Sequence, residues 1–511
     1  MIEAEVHSYL RDFLRQRGEL GEGSALRDRN WPHHLTMARL VARALRLGRP
    51  ALMQTGSSVE RYCLSYLMPV LLYERSVIIV APPSTQQRLL TQEIPLLQDW
   101  LQTDKQVRIS DRLTKTDHLV LTTPETWLSD RLNNEQRFPL HVPTIIDRAD
   151  DLENWTRKLL TTTITISDWQ ELKQAVPNYA ELIDDTRIQL TQAIFTRPTN
   201  PYEHYLLDDS EIELLQNLCS ILAKKDLLTP VFSQFWQQWQ QKANILWTSR
   251  NREECLFTIY LAPIEVATTL KSIWQQQPVV IIGSFLDLES DAPIYRQQLG
   301  LDSVLSLKFS PNRQNEHIQL YIPDRLPMHN TPQFRAAFIE QTRILTGLSH
   351  NSNIPRPVVI LVEDSPLQAQ VGVSLAAEFG SRVQVEKTTL AADGILVCSW
   401  SFWTVHQEQL PTPKLLIVAT IPLPSIENPI VASRVTYYKR QRQDWFRLYL
   451  LPTALKTMQQ AVVPLRESQG IVALLDKRVI FRSYGKTILS ALEPCARINY
   501  IDPTWFAEFD S

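Results

Sequence analysis

Short, nearly continuous apolar runs bounded by charge, Gly or Pro recur along this chain, with helical spacing of apolar residues between them. Residues 75–82 (RSVIIVAP), 118–122 (HLVLT) and 142–147 (VPTIID) are such runs in the first half. Residues 278–283 (PVVIIG), 357–362 (PVVILV), 394–398 (GILVC), 415–419 (LLIVA) and 471–475 (IVALL) continue the series. A strand that is apolar throughout is buried on both faces, as in a parallel sheet covered by helices. The alternation predicts doubly wound parallel sheets with ligand sites at the carboxyl ends of the strands. Two α/β halves, joined near 305–324, follow from the spacing.

The first residues place Ile2, Val6, Leu10, Phe13 and Leu14 at helical spacing and carry acids at once, which predicts an amphipathic helix and not a signal peptide. A polar linker is expected at 17–29, then a helix burying Met37, Val41, Ala44 and Leu45. His33 and His34 read as cap or surface residues, since no third metal ligand lies near them in sequence. Between 155 and 246 the pattern changes to Gln-, Leu- and Trp-rich helices, notably 209–223 and 232–243, which predicts a helical insertion. Phe232, Phe235, Trp236 and Trp239 fall on one stripe there, a core pattern more often than a base-stacking platform.

Composition narrows the options only modestly. At 511 residues the chain is too long for one core, and its net charge of -3 gives no global case for nucleic acid, so any such site must be a local patch. No apolar run approaches the ~20 residues of a membrane span. Cys63, Cys219, Cys255, Cys398 and Cys495 are scattered without a C-x-x-C pair, which predicts reduced structural thiols in a cytoplasmic protein and no metal site.

Residues 50–72 read as a buried strand, a turn at Thr55-Gly56 and a helix, the frame of a phosphate-binding loop. A working loop needs a second Gly, a Lys for the β/γ-phosphates and a hydroxyl for Mg²⁺; those places hold Arg61, Tyr62 and Cys63. Asp147 ends a strand and is either a helix cap or the Mg²⁺-binding acid of a nucleotide hydrolase. Residues 435–446 interleave Lys439, Arg440 and Arg442 with aromatics, and with Arg434 this is either a nucleic-acid surface or a solvated helix face.

In order and spacing, SWSFWTVHQEQL (399–410), LLIVATIPLPSIENPIVASRV (415–435) and the 451–494 stretch resemble the last motifs of DinG/XPD-type superfamily 2 DNA helicases. The first half then fits as well: 56–63 as the phosphate loop, IIDRAD at the Asp-Glu-Ala-His box and IIGSFLD at the Ser-Ala-Thr-Leu box. The resemblance covers roughly 31–494 and implies two RecA-like doubly wound parallel-sheet lobes. They are expected at 31–305, with the 155–246 helical insertion, and at 306–511, after an N-terminal helix and linker at 1–30.

The resemblance also implies site residues. Nucleotide would lie on Thr55, Gly56, Ser57, Ser58, Arg61, Tyr62 and Cys63; catalysis, if any, would rest on Asp147 and Arg466; nucleic acid would meet Ser401, Phe402, Trp403, Arg434, Lys439, Arg440 and Arg442. ATP with Mg²⁺ is the implied cofactor. The four cysteines that hold an iron–sulfur cluster in many relatives have no counterpart, since no Cys lies between Cys63 and Cys219.

Several boxes depart from the family pattern. Besides Tyr62 and Cys63, Arg148 replaces the Glu that polarises water, Asp150 replaces the His, and Pro464 replaces the first Arg of the last box. The expectation is a DinG-like, helicase-fold protein that binds single-stranded nucleic acid with ATPase and unwinding lost or strongly reduced. An active ATP-dependent DNA helicase with an atypical site is the first alternative. The second is a non-enzymatic scaffold that meets a protein partner through the insertion.

Overall fold

The computed structural model describes residues 2–20, 31–241, 243–350 and 356–502; most of the linker expected at 17–29 and the last residues of the second lobe lie outside them. Two seven-stranded sheets organise the chain. The first runs Leu305–Lys308, Ala51–Gln54, Val279–Gly283, Thr144–Ile146, Val77–Val80, Leu119–Thr122, Val107–Ile109. The second runs Val383–Val385, Ile395–Cys398, Val358–Leu361, Leu415–Val418, Ile471–Leu474, Ile318–Tyr321, Cys495–Ile498. Every pairing within both sheets is parallel.

The apolar runs are explained by burial on two sides. Val77 and Ile79 join one helical layer, Ile78 and Val80 the other, so no position of that strand meets water. Burying such a side chain contributes about 1.5–3 kcal/mol. The N-terminal helix Ile2–Leu20 is part of this core: Val6, Leu10, Phe13 and Leu14 pack with Met37, Val41 and Leu45 of the helix Trp31–Leu47. The strand Leu305–Lys308 pairs with Ala51–Gln54, so the first sheet extends past residue 305.

The insertion differs from the expected helical unit. Its helices Ile166–Ala175, Ala180–Thr196, Asp209–Ala223 and Pro230–Trp239 pack on a four-stranded antiparallel sheet of Thr162–Ile164, Leu256–Pro263, Asn244–Asn251 and His204–Leu206. These strands are half polar, and their inward set includes an arginine, so they lack the apolar runs of the parallel sheets. Phe232 and Phe235 are fully buried in this core, with Trp236 and Trp239 partly buried beside them. Among the described residues no helix is long and apolar enough to cross a membrane.

Arg250 ties the insertion together. Its side chain is 0% exposed and donates to the carbonyls of Ile194 (3.1 Å) and Arg197 (2.8 Å) and to the carboxylate of Glu203. Removing one partner of a buried network strands the others. Arg250→Ala is therefore expected to cost about 3 kcal/mol, read as a fall in the urea unfolding midpoint.

Candidate functional site

The loop after Ala51–Gln54 is held by its own polar atoms. Thr55 Oγ1 donates to the Ser57 carbonyl at 2.7 Å, and Ser58 Oγ accepts from the Glu60 amide at 3.3 Å. Gly56 has φ +64, and a Cβ there would stand 2.4 Å from the Phe309 carbonyl oxygen. Its requirement for glycine is thus met by chain packing alone.

Tyr62, 2% exposed, lies in an aromatic stack. Its ring is 4.7 Å from His34 and 5.5 Å from Phe309, which in turn lies 4.4 Å from His33. His34 is buried, not a surface or cap residue, and its Nδ1 is 2.9 Å from Ser65 Oγ. Burial pushes the Cys63 thiol well above its usual range.

Asp147 is 1% exposed, and Tyr66, on the helix Cys63–Leu72 that leaves the loop, donates its hydroxyl to Oδ2 at 2.6 Å. Among the described residues Oδ1 is buried without a hydrogen-bond partner, and burial raises the carboxyl's pKa. Arg148, at φ +57, follows this acid and pairs its guanidinium with two glutamates. It lies 2.9 Å from Glu60 and 2.8 Å from Glu408, the latter in the second lobe. Burial works against its charge, yet Glu408 and Glu60 hold its pKa above the usual value.

Asp150 accepts from the amides of Ser284 (2.7 Å) and Phe285 (3.0 Å) and, across the cleft, from Gln460 (3.3 Å). Lys456 of the second lobe donates to the Asp150 carbonyl. Between the lobes lies a cleft of about 340 Å³ whose charged lining is Glu60, Asp150, Asp151, Glu408 and Glu467 against Arg148.

The remaining expected site residues do not face this cleft. Arg61 pairs with Glu316. Arg466, 4% exposed, donates to the carbonyls of Glu316, Pro494, Leu492 and Glu493 at 2.8–3.3 Å, and burial lowers its pKa to about 10.

Of the nucleic-acid candidates, Trp403 is core: it is 0% exposed and donates Nε1–H to the Ala461 carbonyl at 3.1 Å. Arg434 is equally internal, 2.9 Å from Glu153 of the first lobe and 4.0 Å from the Tyr449 ring centroid. Phe402 is half-buried. Ser401, Lys439, Arg440 and Arg442 are exposed, Lys439 lying 5.1 Å from the Trp445 ring centroid.

His33, His34, Phe309, Tyr66 and Glu408 are site residues that the sequence did not reveal. Only Tyr66 left a signal, one helical turn beyond Tyr62. The Arg148–Glu408 pair spans the two lobes and has no local signature.

Comparison with known proteins agrees with this arrangement. The helicase C-terminal domain family matches residues 394–495, within the second lobe. The chain is 23% identical over 476 residues to the ATP-dependent DNA helicase YoaA of Escherichia coli, covering 82% of this chain and 72% of that protein. It is 24% identical over 259 residues to the 3'-5' exonuclease DinG of Bacillus subtilis, covering 46% of this chain and 27% of that one. Among solved structures, S. tokodaii Xpd4 superposes with a TM-score of 0.58 at 13% identity, covering 92% of this chain and 100% of that one. An apo XPD structure superposes at 0.56 and 12% identity, over 91% of this chain and 100% of its own. Two parallel-sheet lobes facing across a cleft, with these boxes in this order, define a superfamily 2 helicase fold. Within that class the chain is similar to DinG/XPD-type helicases.

The buried Asp147 gives a pH signature. Because burial raises its pKa, the folded chain keeps this proton to higher pH than the unfolded chain, and the site costs stability as pH climbs from about 4. Asp147→Asn lacks that cost, so its urea midpoint is expected to gain on the wild type between about pH 4.5 and 7. A gap that stays constant or shrinks with rising pH contradicts this.

Proposed function

We propose that this chain is a helicase-fold protein that binds single-stranded nucleic acid without using ATP as a motor fuel. The observation that carries the reading is the charge of the cleft: five carboxylates face a single guanidinium where a triphosphate would need the reverse. Mg²⁺–ATP does not fit these residues. Tyr62 stands in place of the phosphate Lys and is stacked between His34 and Phe309. Asp147 is capped by Tyr66, and Arg148 is engaged by two glutamates.

An atypical active site would call on Arg61 or Arg466 to reach the phosphates. Arg61 is on Glu316, and Arg466 is on main-chain carbonyls. Loss of an arginine finger alone removes about 10³–10⁵ in rate. What survives needs no hydrolysis: two rigid lobes and an exposed set of cations beside aromatic rings, of the kind that binds phosphate backbones and stacks bases.

ATP hydrolysis by the purified protein, with and without a single-stranded oligonucleotide, tests this directly. The expected result is no stimulation by the oligonucleotide. Stimulated turnover of about 1 s⁻¹ or faster, abolished by Asp147→Asn, would contradict it.

A further inference from the structure

A second pocket between the lobes, about 570 Å³ in volume, is separate from the acidic cleft. Leu286 and Leu288 of the first lobe form one side, and Phe446, Pro452, Leu455 and Tyr484 of the second lobe form the other. Its size falls in the range of sites that take a nucleotide-sized ligand. The rings of Phe446 and Tyr484 are 4.9 Å apart at 45°, and the hydroxyl residues Ser483 and Thr487 also line the space. The composition is that of a planar-base site: apolar faces, two aromatic rings, and a few small polar groups for the base edge.

The pocket is one rung of a longer ladder. Lys439 lies 5.1 Å from the Trp445 ring, Trp445 lies 6.0 Å from Phe446, and Phe446 lies 4.9 Å from Tyr484. Arg482 and Phe481, which shortly precede Tyr484 in sequence, are exposed, and Lys477 lies 4.8 Å from the Phe481 ring. Arg447, whose side chain is 78% exposed and lies 3.6 Å from the Asp444 carboxylate, lines the same pocket. Two segments far apart in sequence therefore meet at one opening, Phe446 and Arg447 from one and Ser483 and Tyr484 from the other.

The acids here are mostly engaged. Asp287 accepts from the amides of Glu289, Ile294 and Tyr295, and Asp444 from those of Phe446 and Arg447. Cations spread along a row of rings suit a polymer of phosphates and bases, where a mononucleotide would need one compact phosphate site.

We propose that this inter-lobe pocket receives an unstacked base of single-stranded nucleic acid, stacked on Phe446 and Tyr484, while Arg447 and Arg482 take the flanking phosphates. The proposal rests on the nucleic-acid reading above and gives that reading a location. Because both lobes line the pocket, base capture also depends on how the lobes are held together.

Fluorescence anisotropy of the full chain with labelled (dT)20, with (rU)20 and with an abasic strand of equal length tests the proposal. The wild type is expected to prefer the base-bearing strands. Phe446→Leu/Tyr484→Leu is expected to weaken (dT)20 binding on the order of tenfold and to erase the preference over the abasic strand. Arg447→Gln/Arg482→Gln, both at exposed positions, is expected to flatten the slope of log affinity against log salt by about 1.4, two phosphates' worth. An aromatic variant that folds and still binds (dT)20 like the wild type overturns the pocket and leaves the nucleic-acid reading standing. Should the aromatic variant fail to fold, an unchanged salt slope in the arginine variant overturns the pocket instead. Absence of binding to any strand by the wild type overturns both.

Discussion

The arrangement of the two lobes depends on charges that reach across the cleft. Arg148 is held between Glu60 on its own side and Glu408 on the other. Lys456 and Gln460 reach from the second lobe to Asp150, and Arg434 reaches to Glu153. A single exposed ion pair contributes only ~0–1 kcal/mol, so no one contact fixes the geometry. Their number and the burial of Arg434 do, together with the hairpin of the insertion, whose Ile245 and Trp247 pack toward Ile430 and Tyr437 of the second lobe. In a motor of this fold, a bound nucleotide and an arginine finger provide the bridge. Here the chain's own side chains span the gap, with the cation on the first lobe in Arg148–Glu408 and on the second in Arg434–Glu153.

The substituted positions form a consistent set. A tyrosine in place of the phosphate lysine buries a large ring, and His34 and Phe309 provide the faces against which it packs, with His33 stacked on Phe309. With no metal-binding hydroxyl at Cys63, the carboxylate of Asp147 takes its hydrogen bond from Tyr66. With arginine in place of the water-polarising glutamate, Glu60 and Glu408 balance the new charge. Tyr62, Asp147 Oδ2 and Arg148 each meet a protein partner, which limits the cost of burying them.

The parallel sheets were legible because apolar strands such as VIIV and LLIV have no other way to be buried, and the order of the boxes added the lobe arrangement. The antiparallel sheet of the insertion was not, since strands like NILWTSRN alternate and carry an inward arginine. Residues named through the resemblance differ in their surroundings. Gly56 and Asp147 sit at the strand ends where the loop and the acidic box were expected, whereas Trp403, Arg434 and Arg466 are committed to core, inter-lobe and main-chain contacts. A motif records which residue types occur; their partners come from segments hundreds of positions away, as Arg148 and Glu408 illustrate.

The central claim is that the protein itself, and not nucleotide, holds the lobes together. Distances between spin labels placed on exposed positions of the two lobes, measured by pulsed electron paramagnetic resonance, test it most directly. The account predicts one narrow distance distribution, the same with and without millimolar Mg²⁺–ATP. A broad distribution that narrows and shortens on adding Mg²⁺–ATP would contradict it.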